Sequence, residues 1–164
     1  MNRLNATRKG LIVGCLIIVL QLFFFYVLKQ QTNSRYQFIV YAVFAASILW
    51  SVLSFAKSAT ATAKLSEYFS TGFKTFIAIT LLIVLYTFIF YSIHTEIRDA
   101  EMALNNKLLQ QEGNHTSMEI EANAKQLKSI FMPMMLGITT FLYLLLGSVI
   151  TLLSSIVIIQ LKKR

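Results

Sequence analysis

Charged residues are scarce in this chain of 164 residues: they make up 13% of it, whereas soluble domains carry about 25%. So little charge does not cover a water-facing surface. Hydrophobic residues reach 56%, and the mean hydropathy is +0.64. This composition excludes an ordinary soluble domain and predicts an integral membrane protein.

The residue types that build reactive sites are also rare. The single cysteine, Cys15, excludes an intrachain disulfide. The two histidines, His94 and His115, lack the partner spacing of a metal site. The apolar runs contain no Asp, Glu, His, Lys or Arg, of which a proton-coupled carrier or pump usually needs at least one, and no paired nucleophile and base. We therefore predict no catalytic residue, no cofactor, no metal ligand and no enzymatic activity.

Four apolar runs are long enough to cross a bilayer, because about 20 helical residues span its hydrocarbon core. The runs lack the alternation of barrel strands, and helices satisfy their own backbone polar groups in lipid. The predicted spans are residues 11–28, 38–55, 75–92 and 134–161. The predicted fold is all-α, a four-helix transmembrane bundle in a single membrane domain over residues 1–164.

The segments that border the spans carry further expectations. A cleaved signal peptide is the alternative for the first run, but the run is too long and no small-x-small cleavage pattern follows it. Residues 56–74 fit an interfacial helix that leads into the third span. Pro133 is expected near the start of the last helix, where a missing N–H costs least.

Residues 93–128 form the only large hydrophilic region. Apolar residues follow the helical period over 96–111 and again over 117–131. The pair Gly113-Asn114 separates these pieces, and Thr116 with Glu119 resembles a capping box. We predict a helical hairpin over about residues 93–131, whose two arms continue the third and fourth spans out of the membrane.

The basic residues predict the orientation, since Lys and Arg concentrate in short cytoplasmic connections. One side holds nine basic residues and one acid, and the other side holds six of each. With Arg3, the determinants are Arg8, Lys9, Lys57, Lys64, Lys74, Lys162, Lys163 and Arg164. Both termini are therefore predicted to be cytoplasmic and the hairpin extracytoplasmic. Charges clustered at the ends of apolar runs also argue against nucleic-acid binding, and they suit anionic headgroups.

Small residues recur at four-residue spacing, which lets helix backbones approach closely in membranes. This pattern predicts helix packing, either within the chain or between copies. The candidate packing residues are Gly10, Gly14, Ala42, Ala46, Gly147 and Thr151.

The stretch Tyr68-Phe69-Ser70-Thr71-Gly72-Phe73-Lys74 leads into the third span. Together with the four runs, the charged outer segment and the lysine-rich C-terminus, it resembles a bacterial family of small inner-membrane proteins, a domain of unknown function. The family has a Phe-Gly pair here, whereas this chain has Ser70 in place of the glycine. The resemblance covers about Lys9 to Leu161. It implies four helices in the bacterial cytoplasmic membrane and no assigned activity.

Two functions stay open. The first is a multi-pass structural or interaction subunit whose partners are the lipid bilayer and either further copies of itself or another membrane protein. The alternative is a small oligomeric transporter or channel for a neutral solute, lined by Ser, Thr and Gln side chains.

Overall fold

The structure is a computed structural model that describes residues 5–29, 35–59, 63–113 and 116–163. These residues form five helices and no strand. The helices are α1 (Ala6–Tyr26), α2 (Gln37–Ala56), α3 (Leu65–Ile93), α4 (Thr95–Glu112) and α5 (Ser117–Lys163). By length and composition, α1, α2, α3 and α5 could each cross a membrane. The predicted all-α class and its four long apolar helices are confirmed.

Helix α3 begins at Leu65, well before the predicted span at residue 75. The Lys64 backbone N–H donates to Glu67 Oε2 at 2.8 Å, which satisfies one of the open donors at the helix start. No helix break follows, so the expected interfacial helix and the third span form one continuous helix.

The expectation for Pro133 is wrong. Helix α5 starts at Ser117, so Pro133 lies well inside it. The helix starts early because Thr116 and Glu119 form the predicted capping box: the Thr116 N–H donates to Glu119 Oε2 at 2.8 Å, and the Glu119 N–H donates to Thr116 Oγ1 at 3.3 Å. The amphipathic segment and the last apolar run then continue as one helix.

Helix α4 is bounded by two residues with non-helical backbone. His94 separates it from α3, with φ −98° and ψ 67°. Gly113 ends it in the left-handed region, with φ 68°, where glycine has no Cβ penalty. The two predicted helical pieces are thus confirmed as α4 and the first part of α5. The last apolar run continues into its piece as expected, whereas His94 interrupts the expected continuation of the third run. Asn114 and His115 lie outside the described residues.

The chain divides into two compact units. We call Met1–Ile83 with Thr140–Arg164 the bundle unit, and Val84–Thr139 the connector unit. The bundle unit holds α1, α2, the first part of α3 and the last part of α5. The connector unit holds the remainder of α3 and α5 together with α4.

Within the bundle unit, α1 and α2 are antiparallel. Lys9, near the start of α1, contacts Trp50 in the last part of α2. Phe24, near the end of α1, packs on Tyr36 at the start of α2, with ring centroids 5.1 Å apart. The start of α1 therefore lies beside the end of α2, and the end of α1 lies beside the start of α2.

Helices α3 and α5 are antiparallel in the same unit. Gly72 lies against Thr151, and Phe76, one turn later on α3, lies against Gly147, one turn earlier on α5. With α1 and α2, this gives an up-down-up-down arrangement of four helices, as in simple helix bundles.

Large apolar side chains fill the centre of the bundle unit. Those no more than 1% exposed are Ile17, Val40, Phe44, Ile48, Val52, Tyr68, Phe76, Ile79 and Ile83. The outer face is apolar too: Leu81 and Phe141 are each 65% exposed. Since lipid is as apolar as these side chains, close packing, and not hydrophobic burial, must hold the helices together.

Candidate functional site

Two buried hydroxyl groups join three helices at the end of the bundle unit where α1 begins. Thr75 Oγ1 on α3 donates to Ser51 Oγ on α2 at 2.7 Å, and both residues are fully buried. The same oxygen lies 3.1 Å from the Thr71 carbonyl and 3.3 Å from the Ala6 carbonyl on α1. The single Thr75 hydroxyl proton can be donated to any one of these three acceptors. The hydroxyl pair therefore positions α1 and α2 on α3.

Removing this hydroxyl pair is expected to weaken the bundle modestly. Interhelical hydrogen bonds in membrane proteins contribute about 0.6 kcal/mol on average and at most about 1.7 kcal/mol. We expect a coupling energy in the upper part of that range between Ser51→Ala and Thr75→Val, because both groups are fully buried. Unfolding of both single variants and the double variant in mixed micelles measures it. Strictly additive effects would contradict the bond.

Gly72 lies at a close helix crossing in the unit, and the sequence pattern did not single it out for packing. A Cβ at this position would meet the Thr151 methyl and hydroxyl groups and, at 3.1 Å, Val52 Cγ2. Three helices, α2, α3 and α5, therefore converge on one glycine. The available signal was its spacing, since Gly72 lies on the same helical face as the core residues Tyr68 and Phe76.

The predicted packing residues fall into two groups. Gly10 and Gly14 on α1 lie against α3, and Gly147 lies against the Phe76 ring. Ala42 and Ala46 instead are exposed on the surface of α2. Thus the four-residue spacing marks an internal contact on α1 and α5 but a free surface on α2.

Lys9 differs from the other predicted topology determinants. It is only 8% exposed, and its Nζ lies 4.9 Å from the centroid of the Trp50 ring. Lys162 Nζ donates to the Ala59 carbonyl at 3.2 Å, which ties the end of α5 to the end of α2. Lys162 is nevertheless exposed, as are Arg8, Lys57, Lys64 and Lys74. Lys163 ends α5, and Arg164 lies outside the described residues.

The connector unit contains a cluster of aromatic side chains around one carboxylate. The Tyr91 ring packs edge-on against Phe131 at 5.4 Å, and its hydroxyl donates to Glu101 Oε1 at 2.9 Å. The His94 ring stacks on Phe90, with centroids 4.7 Å apart. Burial raises the pKa of the Glu101 carboxyl, and the hydrogen bond from Tyr91 opposes this by lowering it.

The raised pKa of Glu101 predicts that the connector unit loses stability as the pH rises. A carboxyl with a higher pKa in the folded state favours folding when protonated, so its contribution is complete below the unfolded value near 4.5 and disappears as the pH rises through the folded value. Glu101→Gln keeps an acceptor for Tyr91 without the charge. We expect this variant to flatten the pH dependence of amide exchange in α4 above pH 4.5. A variant with the wild-type profile would contradict the assignment.

Within the described ranges, no three His, Cys, Asp or Glu side chains lie together as a metal site would require. No protein-family model, curated protein or solved structure matches the chain. The family resemblance of the Tyr68–Lys74 stretch therefore stays a prediction.

Proposed function

We propose that the chain is a multi-pass protein of a bacterial cytoplasmic membrane that acts as a structural or interaction subunit and not as an enzyme. Its termini are cytoplasmic in this proposal, and the hairpin region of about residues 93–131 is extracytoplasmic. The filled centre of the bundle unit carries the proposal. Phe44, Phe76 and Ile79, each 0% exposed, occupy the space that a carrier would need for its solute.

The bonding of the buried hydroxyl groups supports the same function. Ser47 donates to the Phe44 carbonyl at 2.6 Å, and Ser155 donates to the Thr151 carbonyl at 2.7 Å. Hydroxyls that bond to their own helix are occupied by the backbone. They therefore favour a packing role for these residues over a polar solute pathway.

One observation favours the alternative, a small oligomeric transporter or channel for a neutral solute. Buried side-chain oxygens on α1 and α5 have no hydrogen-bond partner among the described residues: Gln21 Oε1, Tyr143 Oη and Thr151 Oγ1. Buried polar atoms are normally satisfied, so these are the atoms that a neutral hydrogen-bonding solute would use.

Mass and composition of the purified protein distinguish the two functions. The protein is extracted into nanodiscs, and its mass is measured with that of any stoichiometric partner. A subunit is expected to retain such a partner, and to lose it when the exposed Leu104 and Leu108 on α4, 59% and 52% exposed, are replaced by serine. Exposed Leu81 replaced by serine is the control. A homo-oligomer that passes neutral solutes in liposomes would overturn the subunit function.

Reporter fusions test the orientation separately. A reporter that is active only in the cytoplasm is expected to be active at the N- and C-termini and inactive when inserted after Gly113. An active reporter at Gly113, or an inactive one at the C-terminus, would reverse the proposed topology.

A further inference from the structure

Among the described residues of the bundle unit, no carboxylate forms a salt bridge with Lys9. Lys9 is 8% exposed, and the only salt bridge among the residues that the structure describes joins Arg98 to Asp99. The bundle unit has a single acidic residue, Glu67, and its carboxylate accepts the Lys64 backbone N–H. A lysine that packs against the bundle without a counter-ion leaves its charge uncompensated, so an external anion would stabilise it.

The start of α1 favours an anion for an independent reason. The first turn of α1 contains no acidic residue, and the Asn5 side chain makes no capping hydrogen bond. The backbone N–H groups at a helix start carry a partial positive charge and attract negative groups. Arg8 is exposed beside Lys9 and adds a second full charge. The helix start and two neighbouring cations thus lie together where the described residues supply no anion.

The Trp50 ring indicates which anion fits. Its indole is 46% exposed, and the Lys9 ammonium lies over the ring at 4.9 Å. Indole rings prefer the boundary between headgroups and acyl chains. The contact with the ring fixes the position of the Lys9 ammonium along the membrane normal. The ammonium is therefore expected at the depth of a lipid phosphate.

The surface beside Trp50 is suited to an acyl chain. Ala46 and Ala42 are exposed one and two helical turns from Trp50 on the same face of α2. Leu49 and Leu53, which flank Trp50 along the helix, are 42% and 47% exposed. Small and apolar residues thus continue from the cation toward the centre of the helix, as a lipid tail would. A soluble phosphate has no group that would use this surface.

We propose that Lys9, Arg8 and Trp50 form a binding site for an anionic glycerophospholipid. The phosphate accepts hydrogen bonds from the Lys9 ammonium and the Arg8 guanidinium at the start of α1. The Trp50 ring holds the Lys9 ammonium in place, and the acyl chain lies along Ala46 and Ala42. The site is formed by the bundle unit alone and does not depend on which side of the membrane that end faces.

The single tryptophan makes the site measurable in the intact protein, since Trp50 is the only fluorophore of its kind. The protein is reconstituted into bilayers in which either the anionic or the zwitterionic lipid carries brominated acyl chains, which quench a neighbouring indole. Work in about 1 M salt, where the Debye length is about 3 Å, removes general surface attraction. We expect brominated phosphatidylglycerol to quench Trp50 at about fivefold lower mole fraction than brominated phosphatidylcholine, as one charge-assisted contact of at least about 1 kcal/mol implies.

Three variants separate the effect of Lys9 on the lipid preference from the effect of the overall positive charge. Lys9→Gln is expected to abolish the preference, Lys9→Arg to keep it, and Lys57→Gln, which removes an exposed charge at the same end of the bundle unit, to leave it unchanged. Each protein is compared with itself in the two lipids, so a changed indole environment does not mimic the result.

Three results would overturn the proposal. Wild-type protein without a preference in high salt shows that no specific site exists, whatever the variants do. If Lys57→Gln lowers the preference for the anionic lipid as much as Lys9→Gln does, the preference comes from the overall surface charge and not from a site at Lys9. Glycerol phosphate that removes the preference when added to the buffer shows that a soluble phosphate, and not a lipid, occupies the site.

Discussion

Gly72→Leu is expected to unfold the bundle unit or to lower its stability by about 3 kcal/mol, the upper end of the usual effect of overpacking. A Cβ at this position would already meet the Thr151 methyl group and, at 2.9 Å, the Thr151 Oγ1. Val52 on α2 closes the remaining side. Since α2, α3 and α5 meet here, a leucine cannot be accommodated by a shift of one side chain. Unfolding in mixed micelles, followed by circular dichroism, measures the loss.

A matched variant and a compensating change make this test specific. A Cβ at Gly137, also within a helix, has no neighbour within 4 Å, so Gly137→Leu is expected to leave stability within about 0.5 kcal/mol of wild type. The double variant Gly72→Ala with Thr151→Ala removes the obstructing methyl and hydroxyl groups and is expected to be more stable than Gly72→Ala alone. Equal stability of the Gly72 and Gly137 leucine variants would refute the three-helix crossing.

Gly10→Leu is expected to separate α1 from α3, with a loss of similar size, about 3 kcal/mol. A Cβ on Gly10 would lie 2.5 Å from the Thr75 carbonyl oxygen and 2.8 Å from Ala78 Cβ. The first of these is a backbone atom within a helix, so relief requires the whole of α1 to move. The movement would also break the contact between Thr75 and Ala6. We expect a lower thermal midpoint and faster proteolysis near the start of α1.

Cys15→Leu is the control for Gly10→Leu, because Cys15 lies on the same helix but is exposed. The enlarged side chain would face lipid, and we expect no loss of stability. The pair of variants also tests whether the glycine spacing serves packing between copies of the chain. If Gly10 served a contact between copies of the chain, Gly10→Leu would lower the mass of the particle and leave the thermal midpoint unchanged.

The existence of the helices follows from local features of the sequence. Each of the four apolar runs is long enough for a span and lacks the signals that end a helix, so the helix type was predictable without tertiary information. The Thr116–Glu119 capping box and the break at Gly113 were predictable for the same reason, because caps and left-handed glycines act within a few residues.

The helix limits were less predictable. The mixed composition of residues 56–74 suggested an element separate from the span, yet α3 runs from Leu65 to Ile93. Composition marks where a helix leaves the apolar phase, whereas a helix ends only where its backbone hydrogen bonds end. Pro133 illustrates the same difference: its lost hydrogen bond does not end α5.

The sequence by itself determined the class of the protein: little charge and four apolar runs predict helices that are long and apolar enough to cross a membrane. Only the tertiary structure decided which residues meet. Gly10 and Ala46 have the same spacing pattern, but one lies against α3 and the other is exposed. In the sequence, Lys9 cannot be distinguished from the other basic residues, and only the packing of α2 on α1 shows that it contacts Trp50. Spacing specifies a face of a helix, and the identity of the neighbour on that face depends on how distant segments pack.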